Sequence, residues 1–162
     1  VRAVPDESPA GAGVFLSVFS DGASRGNPGP AGIGGLARNE AGEVVLEVWE
    51  YLGETTNNVA EYYAMIRILE ESAKLGYDSV KVHTDSQLVA KQVVGSFKVK
   101  SQSLRPLVGR VRVLLDAYRT VQVDYIPREK NIQCDRLANR GIDEGLAGLR
   151  EPILEKGERS LF

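Results

Sequence analysis

The segment spanning residues 22–32 most constrains the fold of this 162-residue chain. It holds four glycines together with Pro28 and Pro30, and it follows directly on the β-type run at 14–20 that ends at Asp21. Proline lacks the backbone donor a helix needs and glycine weakens a helix interior, so the first strand cannot lead into a helix. The chain must turn instead. The next two β-type runs, 33–38 and 44–52, are separated by Asn39-Glu40-Ala41-Gly42 and read as an antiparallel hairpin. The sheet therefore opens as a meander.

The apolar period then changes. Over 58–75, Val59, Tyr62, Ile66, Leu69 and Ala73 recur at helical spacing, and Gly76 stops the helix. Residues 80–85 alternate as a half-buried strand, 86–94 form a short helix closed by Gly95, 104–118 are helical, 121–126 form a strand and 132–142 a last helix. This order predicts an α/β fold: a five-stranded mixed sheet with its first three strands antiparallel and helices on its faces. Residues 1–13, rich in Ala, Gly, Pro and acid, are expected to be a flexible arm, 14–145 the folded domain and 146–162 a tail.

Twenty basic against 22 acidic residues give a net charge of −2, so any nucleic-acid binding must come from local charge placement. No apolar stretch approaches a membrane span, no secretory signal is evident, and the single cysteine, Cys134, has no partner for an internal disulfide. Cytoplasmic residence without a membrane partner is the expectation.

Four carboxylates occupy informative places. Asp21 and Asp85 end predicted strands, where open α/β sheets gather ligands, although aspartate is also an ordinary turn residue. Glu61 falls three residues after Asn58, the spacing of a capping box, yet it also heads the stripe continued by Met65 and Ile68. Asp135 shares a helix face with Ile132, Ala138 and Ile142, and an anion buried there needs a partner or a metal. Carboxylates without a histidine or cysteine cluster suit a hard cation such as Mg²⁺ or Mn²⁺ and do not suit zinc.

Four blocks in order resemble type 1 ribonuclease H: Asp21-Gly22-Ala23-Ser24-Arg25-Gly26-Asn27-Pro28-Gly29-Pro30-Ala31-Gly32, Thr55-Thr56-Asn57-Asn58-Val59-Ala60-Glu61-Tyr62, His83-Thr84-Asp85-Ser86-Gln87 and Asn131-Ile132-Gln133-Cys134-Asp135-Arg136-Leu137-Ala138-Asn139. The resemblance implies endonucleolytic cleavage of the RNA strand of RNA-DNA hybrids. It implies two Mg²⁺ or Mn²⁺ ions held by Asp21, Glu61, Asp85 and Asp135, with 3'-hydroxyl and 5'-phosphate products. It also implies hybrid contacts by Asn57 and Asn58 in the minor groove, by Asn27, Gln87 and Asn131 beside them, and by Thr56 on a DNA-strand phosphate. Amides suit this work, because they both donate to and accept from a ribose 2'-hydroxyl. No obligatory protein partner is implied, and a monomer is expected.

The sequence departs from many members in two places. The loop before Asp135 reads Pro127-Arg128-Glu129-Lys130 where many carry a histidine, leaving Arg128 as an auxiliary cation that cannot shuttle protons. Where some members carry a long basic protrusion, only Lys98 and Lys100 stand ready for phosphates. Three rival readings arise: a non-catalytic hybrid-binding module, another nuclease or recombinase of the same fold, and a serine hydrolase suggested by Gly22-Ala23-Ser24-Arg25-Gly26. The last fails on the prolines that follow, because a nucleophile elbow must run into a helix.

Overall fold

In the computed structural model, which describes residues 1–6, 13–95 and 98–154, the meander, the helices and the late strands follow in the expected order. The elements are β1 (Arg2–Ala3), β2 (Phe15–Ser24), β3 (Gly29–Arg38), β4 (Val44–Thr55), α1 (Asn57–Ser72), β5 (Ser79–Thr84), α2 (Gln87–Val94), α3 (Arg105–Asp116), β6 (Thr120–Tyr125) and α4 (Ile132–Leu146). They build one sheet in the order β1-β4-β3-β2-β5-β6. The pairs among β1, β4, β3 and β2 are antiparallel, whereas β5 lies parallel to both β2 and β6.

Alternation sorts the strand residues onto two cores. Leu16 and Val18 of β2 and Val80 and Val82 of β5 are fully buried in the main core with Tyr62, Met65, Ile66 and Leu69 of α1. Across the sheet, α4 packs on β3 and β4 over a smaller cluster of Leu36, Trp49, Cys134 and Leu137. The helix comes close because β3 is glycine-rich: a Cβ on Gly34 would lie 2.2 Å from the Cys134 carbonyl oxygen, and one on Gly32 would lie 2.4 Å from that of Ala138. The stretch 22–32 is thus mostly strand, with the connection confined to residues 25–28. Gly22, Gly29 and Gly32 serve close approach of backbone, a use of glycine that resembles turn chemistry in a sequence.

The sheet has six strands, one more than expected, because β1 pairs with β4 from within the predicted arm. Asp6 secures this segment by accepting hydrogen bonds from the Tyr77 hydroxyl and from Asn39 Nδ2. Residues 7–12 of that arm lie outside the described residues. The predicted tail also reaches the sheet, since the Ile153 and Leu154 N–H groups donate to Tyr51 and Leu52 of β4, and Leu154 is only 1% exposed. Together β1 and residues 153–154 cover the outer edge of β4, a position that would otherwise invite pairing with another chain. Both segments are too short to show a hydrophobic period. Among the described residues, no helix is long and apolar enough to cross a membrane.

Candidate active site

Asp21 sits near the end of β2, only 6% exposed, and the next residue sets its surroundings. A Cβ on Gly22 would lie 2.3 Å from the Ala60 carbonyl carbon, so only glycine lets β2 press against the start of α1. That contact brings Glu61 to Asp21. The helix is capped by Thr56, whose Oγ1 accepts from the Val59 N–H at 3.3 Å. Asn58 is therefore inside the helix, the expected Asn58–Glu61 capping box does not form, and Glu61 lies in the second turn with its carboxylate directed at the strand ends. Asp85 follows β5 directly. Its position is fixed on one side by the Ser86 N–H donating to Thr84 Oγ1 at 3.1 Å and on the other by Ser86 Oγ capping α2 through the Val89 N–H.

Oxygen atoms of Asp21, Glu61 and Asp85 all lie within 4.8 Å of one another. Burial, followed by the Asp85 charge, pushes the Asp21 carboxyl up from 3.8 to about 7. Glu61 is raised well above its ordinary value by burial and by Asp21, with which it shares a hydrogen bond, although the Gly22 N–H stabilises its charged form. Glu61 Oε2 is buried without a partner. Three convergent hard oxygen donors, one of them orphaned and all three mutually repulsive, fit a divalent cation, whose charge would hold every carboxylate ionised. Neither Cys134 nor His83 joins them: the thiol is buried beside Leu36 and Leu137, and the imidazole stacks on Phe19 with centroids 4.3 Å apart.

Asp135 lies in the same cleft, of about 390 Å³, but outside the tight trio. Its face of α4 differs from the expected one, because Ile132 is 47% exposed and the buried residues are Cys134, Leu137, Ala138, Gly141 and Ile142. Asp135 is thus half-buried at the margin of that stripe, where its charge still raises the Asp21 carboxyl. Arg128, in a 3-10 turn before α4, lines the cleft and acts on Asp21 in the opposite sense.

A family model described as "Reverse transcriptase-like" matches residues 19–141. Ribonuclease HI of Halobacterium salinarum is 40% identical over 129 residues, which are 80% of this chain and 65% of that protein. Ribonuclease H of Methylococcus capsulatus is 36% identical over 148 residues, covering 83% of this chain and 93% of that one. The chain belongs to the ribonuclease H family. It spans 65% of the Halobacterium protein and 35% of a bifunctional protein of Mycobacterium tuberculosis that is 41% identical over 127 residues. Among solved structures, LC11-RNase H1 in complex with an RNA/DNA hybrid superposes with a TM-score of 0.77 at 40% identity, covering 81% of this chain and 99% of that one. RNase H1 of Halobacterium salinarum gives a TM-score of 0.78 at 39% identity, with 80% and 98% covered.

Within this ribonuclease H fold, the remaining expected residues divide into three groups. Asn57 and Asn58 are exposed on the wall of the acidic cleft, with Gln87 exposed in the first turn of α2 beside the cleft residue Ser86. Asn27 lies next to them, its Oδ1 accepting from the Asn57 N–H at 3.0 Å, and Thr56 caps the helix that carries them. Lys98 and Lys100 are exposed but not brought to the carboxylates: Lys98 lines a separate groove with Arg105 and Arg112. Asn131, expected as a nucleic-acid contact, is only 2% exposed and turned inward, its Nδ2 donating to the Ser20 carbonyl at 2.9 Å and to Asp85 Oδ2 at 3.3 Å. Sequence reasoning also missed Gly22, whose signal, an Asp-Gly pair at a strand end, reads equally well as a turn.

Proposed function

We propose that this chain is an endoribonuclease that hydrolyses the RNA strand of RNA-DNA hybrids with two Mg²⁺ or Mn²⁺ ions. The observation that carries the reading is the convergence of Asp21, Glu61 and Asp85 in a cleft that the exposed residues Asn57 and Asn58 also line. Asp21, Glu61 and Asp85, with Asp135 of the same cleft, would hold the ions. Divalent cations bound there supply an activated water and charge stabilisation at the leaving oxygen of a phosphodiester. Water attacking phosphorus in line with O3', so that the P–O3' bond breaks and O3' leaves with a proton, gives 3'-hydroxyl and 5'-phosphate ends and needs no protein nucleophile.

The chain's own side chains select and place the substrate. Asn57 and Asn58 offer donors and acceptors to 2'-hydroxyls, which only an RNA strand presents. Thr56 Oγ1 accepts from the Val59 N–H, which leaves its hydroxyl proton for a phosphate oxygen of the DNA strand. Arg128 places a permanent positive charge over the cleft and holds a phosphate electrostatically, with no proton to transfer at neutral pH.

Incubation with a labelled RNA-DNA hybrid, duplex DNA and duplex RNA, each with Mg²⁺ or Mn²⁺, tests the reading. Cleavage of the hybrid's RNA strand alone is the expected result. Hybrid binding without cleavage under both ions would replace it with the binding-module reading.

A further inference from the structure

Asn131 is a buried residue whose hydrogen bonds reach Asp85, the residue before Asp21, the Arg128 turn and Asp135. Its Nδ2 bridges the Ser20 carbonyl of β2, one residue before Asp21, and Asp85 Oδ2, which follows β5. Its backbone N–H donates to the Arg128 carbonyl at 2.9 Å and closes the turn carrying that arginine. Its backbone carbonyl accepts from the Asp135 N–H at 3.2 Å. Three elements that carry acidic residues, β2, the β5–α2 junction and α4, thus meet at one side chain and its own peptide groups. A side chain only 2% exposed cannot double as a contact for nucleic acid without leaving this position.

We infer that Asn131 is a positioning residue that sets the site's affinity for divalent cations by holding the Asp85 carboxylate against the end of β2. The inference rests on the reading of Asp85 as a metal ligand. An amide donor suits the task. It fixes the orientation of one Asp85 oxygen while adding no charge to an already crowded cluster, and its second hydrogen on Ser20 ties that orientation to the strand bearing Asp21. Removal of such an outer partner typically weakens metal binding by about 10- to 100-fold.

The test is calorimetric titration of the substrate-free protein with Mn²⁺, together with hybrid cleavage measured across Mn²⁺ concentration and across substrate concentration at saturating Mn²⁺. Asn131→Ala should weaken Mn²⁺ binding by about 10-fold or more, while KM for the hybrid at saturating Mn²⁺ stays within about twofold. Asn131→Ser, too short to reach Asp85 but still polar at the helix start, should behave alike and serves if the alanine variant does not fold. In an Asp85→Asn background, the Asn131 substitution should add little further weakening, because its partner carboxylate is already neutral. Unchanged Mn²⁺ binding with a raised hybrid KM would overturn the inference in favour of a substrate contact, and full additivity with Asp85→Asn would overturn the route through Asp85. Should Asp85→Asn alone leave Mn²⁺ binding unchanged, the ligand assignment itself falls and the inference falls with it, an outcome distinct from the other two.

Discussion

Asp21→Asn should stabilise the metal-free protein while abolishing hybrid cleavage, and the stabilisation should depend on pH. The Asp21 carboxyl, ordinarily near 3.8, is pushed up to about 7 by burial and by Asp85. Between those values the folded protein retains a proton that the unfolded chain has released. Stability is therefore fully present below pH 4 and is lost as pH rises towards 7. A shift of about three units corresponds to about 4 kcal/mol at about 1.4 kcal/mol per unit. Because Asp21 and Glu61 are hydrogen-bonded to each other, we assign about 2–4 kcal/mol to removal of one anion. For a chain of this length, that raises the melting temperature by on the order of 10 °C at pH 8. Melting curves in chelator at pH 5 and pH 8 read the effect directly. The wild-type chain should melt higher at pH 5 than at pH 8, the variant should flatten this slope, and added Mg²⁺ should stabilise the wild type more than the variant. A variant that melts no higher than wild type at pH 8, or gains equally at both pH values, would refute the crowding of these carboxylates.

Gly22→Ala should cost at least about 2 kcal/mol in denaturant unfolding and remove cleavage together, since its Cβ can be accommodated only by parting β2 from α1 and hence Asp21 from Glu61. Replacement of both Asn57 and Asn58 by alanine should weaken hybrid binding by about 1–3 kcal/mol and leave thermal stability nearly unchanged. Thr56→Ala, by contrast, should lower stability by about 1 kcal/mol, because it is the cap; a double variant that melts like Thr56→Ala would reverse these assignments. Leu154→Ala should destabilise by about 2–5 kcal/mol, as expected for a side chain closed into the main core, and unfolding at the wild-type midpoint would show that the C-terminal segment does not dock.

The carboxylates were legible in the sequence because strand alternation ends at Asp21 and Asp85, and the chemistry of oxygen donors does not depend on fold. Period and turn signals likewise gave the element order, since an apolar face must repeat at the spacing of the element that buries it. Glycine was ambiguous. Gly22, Gly32 and Gly34 look like turn formers, yet each marks a place where a helix backbone approaches a strand, and the approaching residue lies far away in the chain. The same ambiguity covers Asn58, whose spacing to Glu61 suits a cap although Thr56 fills that role.

What the sequence by itself determined is the set of local elements, the acidic residues at their ends and, through four ordered blocks, the family. Only the tertiary structure decided which polar groups face solvent and which are enclosed. Asn57 and Asn131 are the same residue type near helix starts, but one stands exposed on the cleft wall and the other is buried between Ser20 and Asp85. The difference arises because burial of a polar side chain depends on partners supplied by distant elements, and the Asn131 amide NH2 is enclosed where β2 and the residue after β5 converge to accept both of its hydrogens.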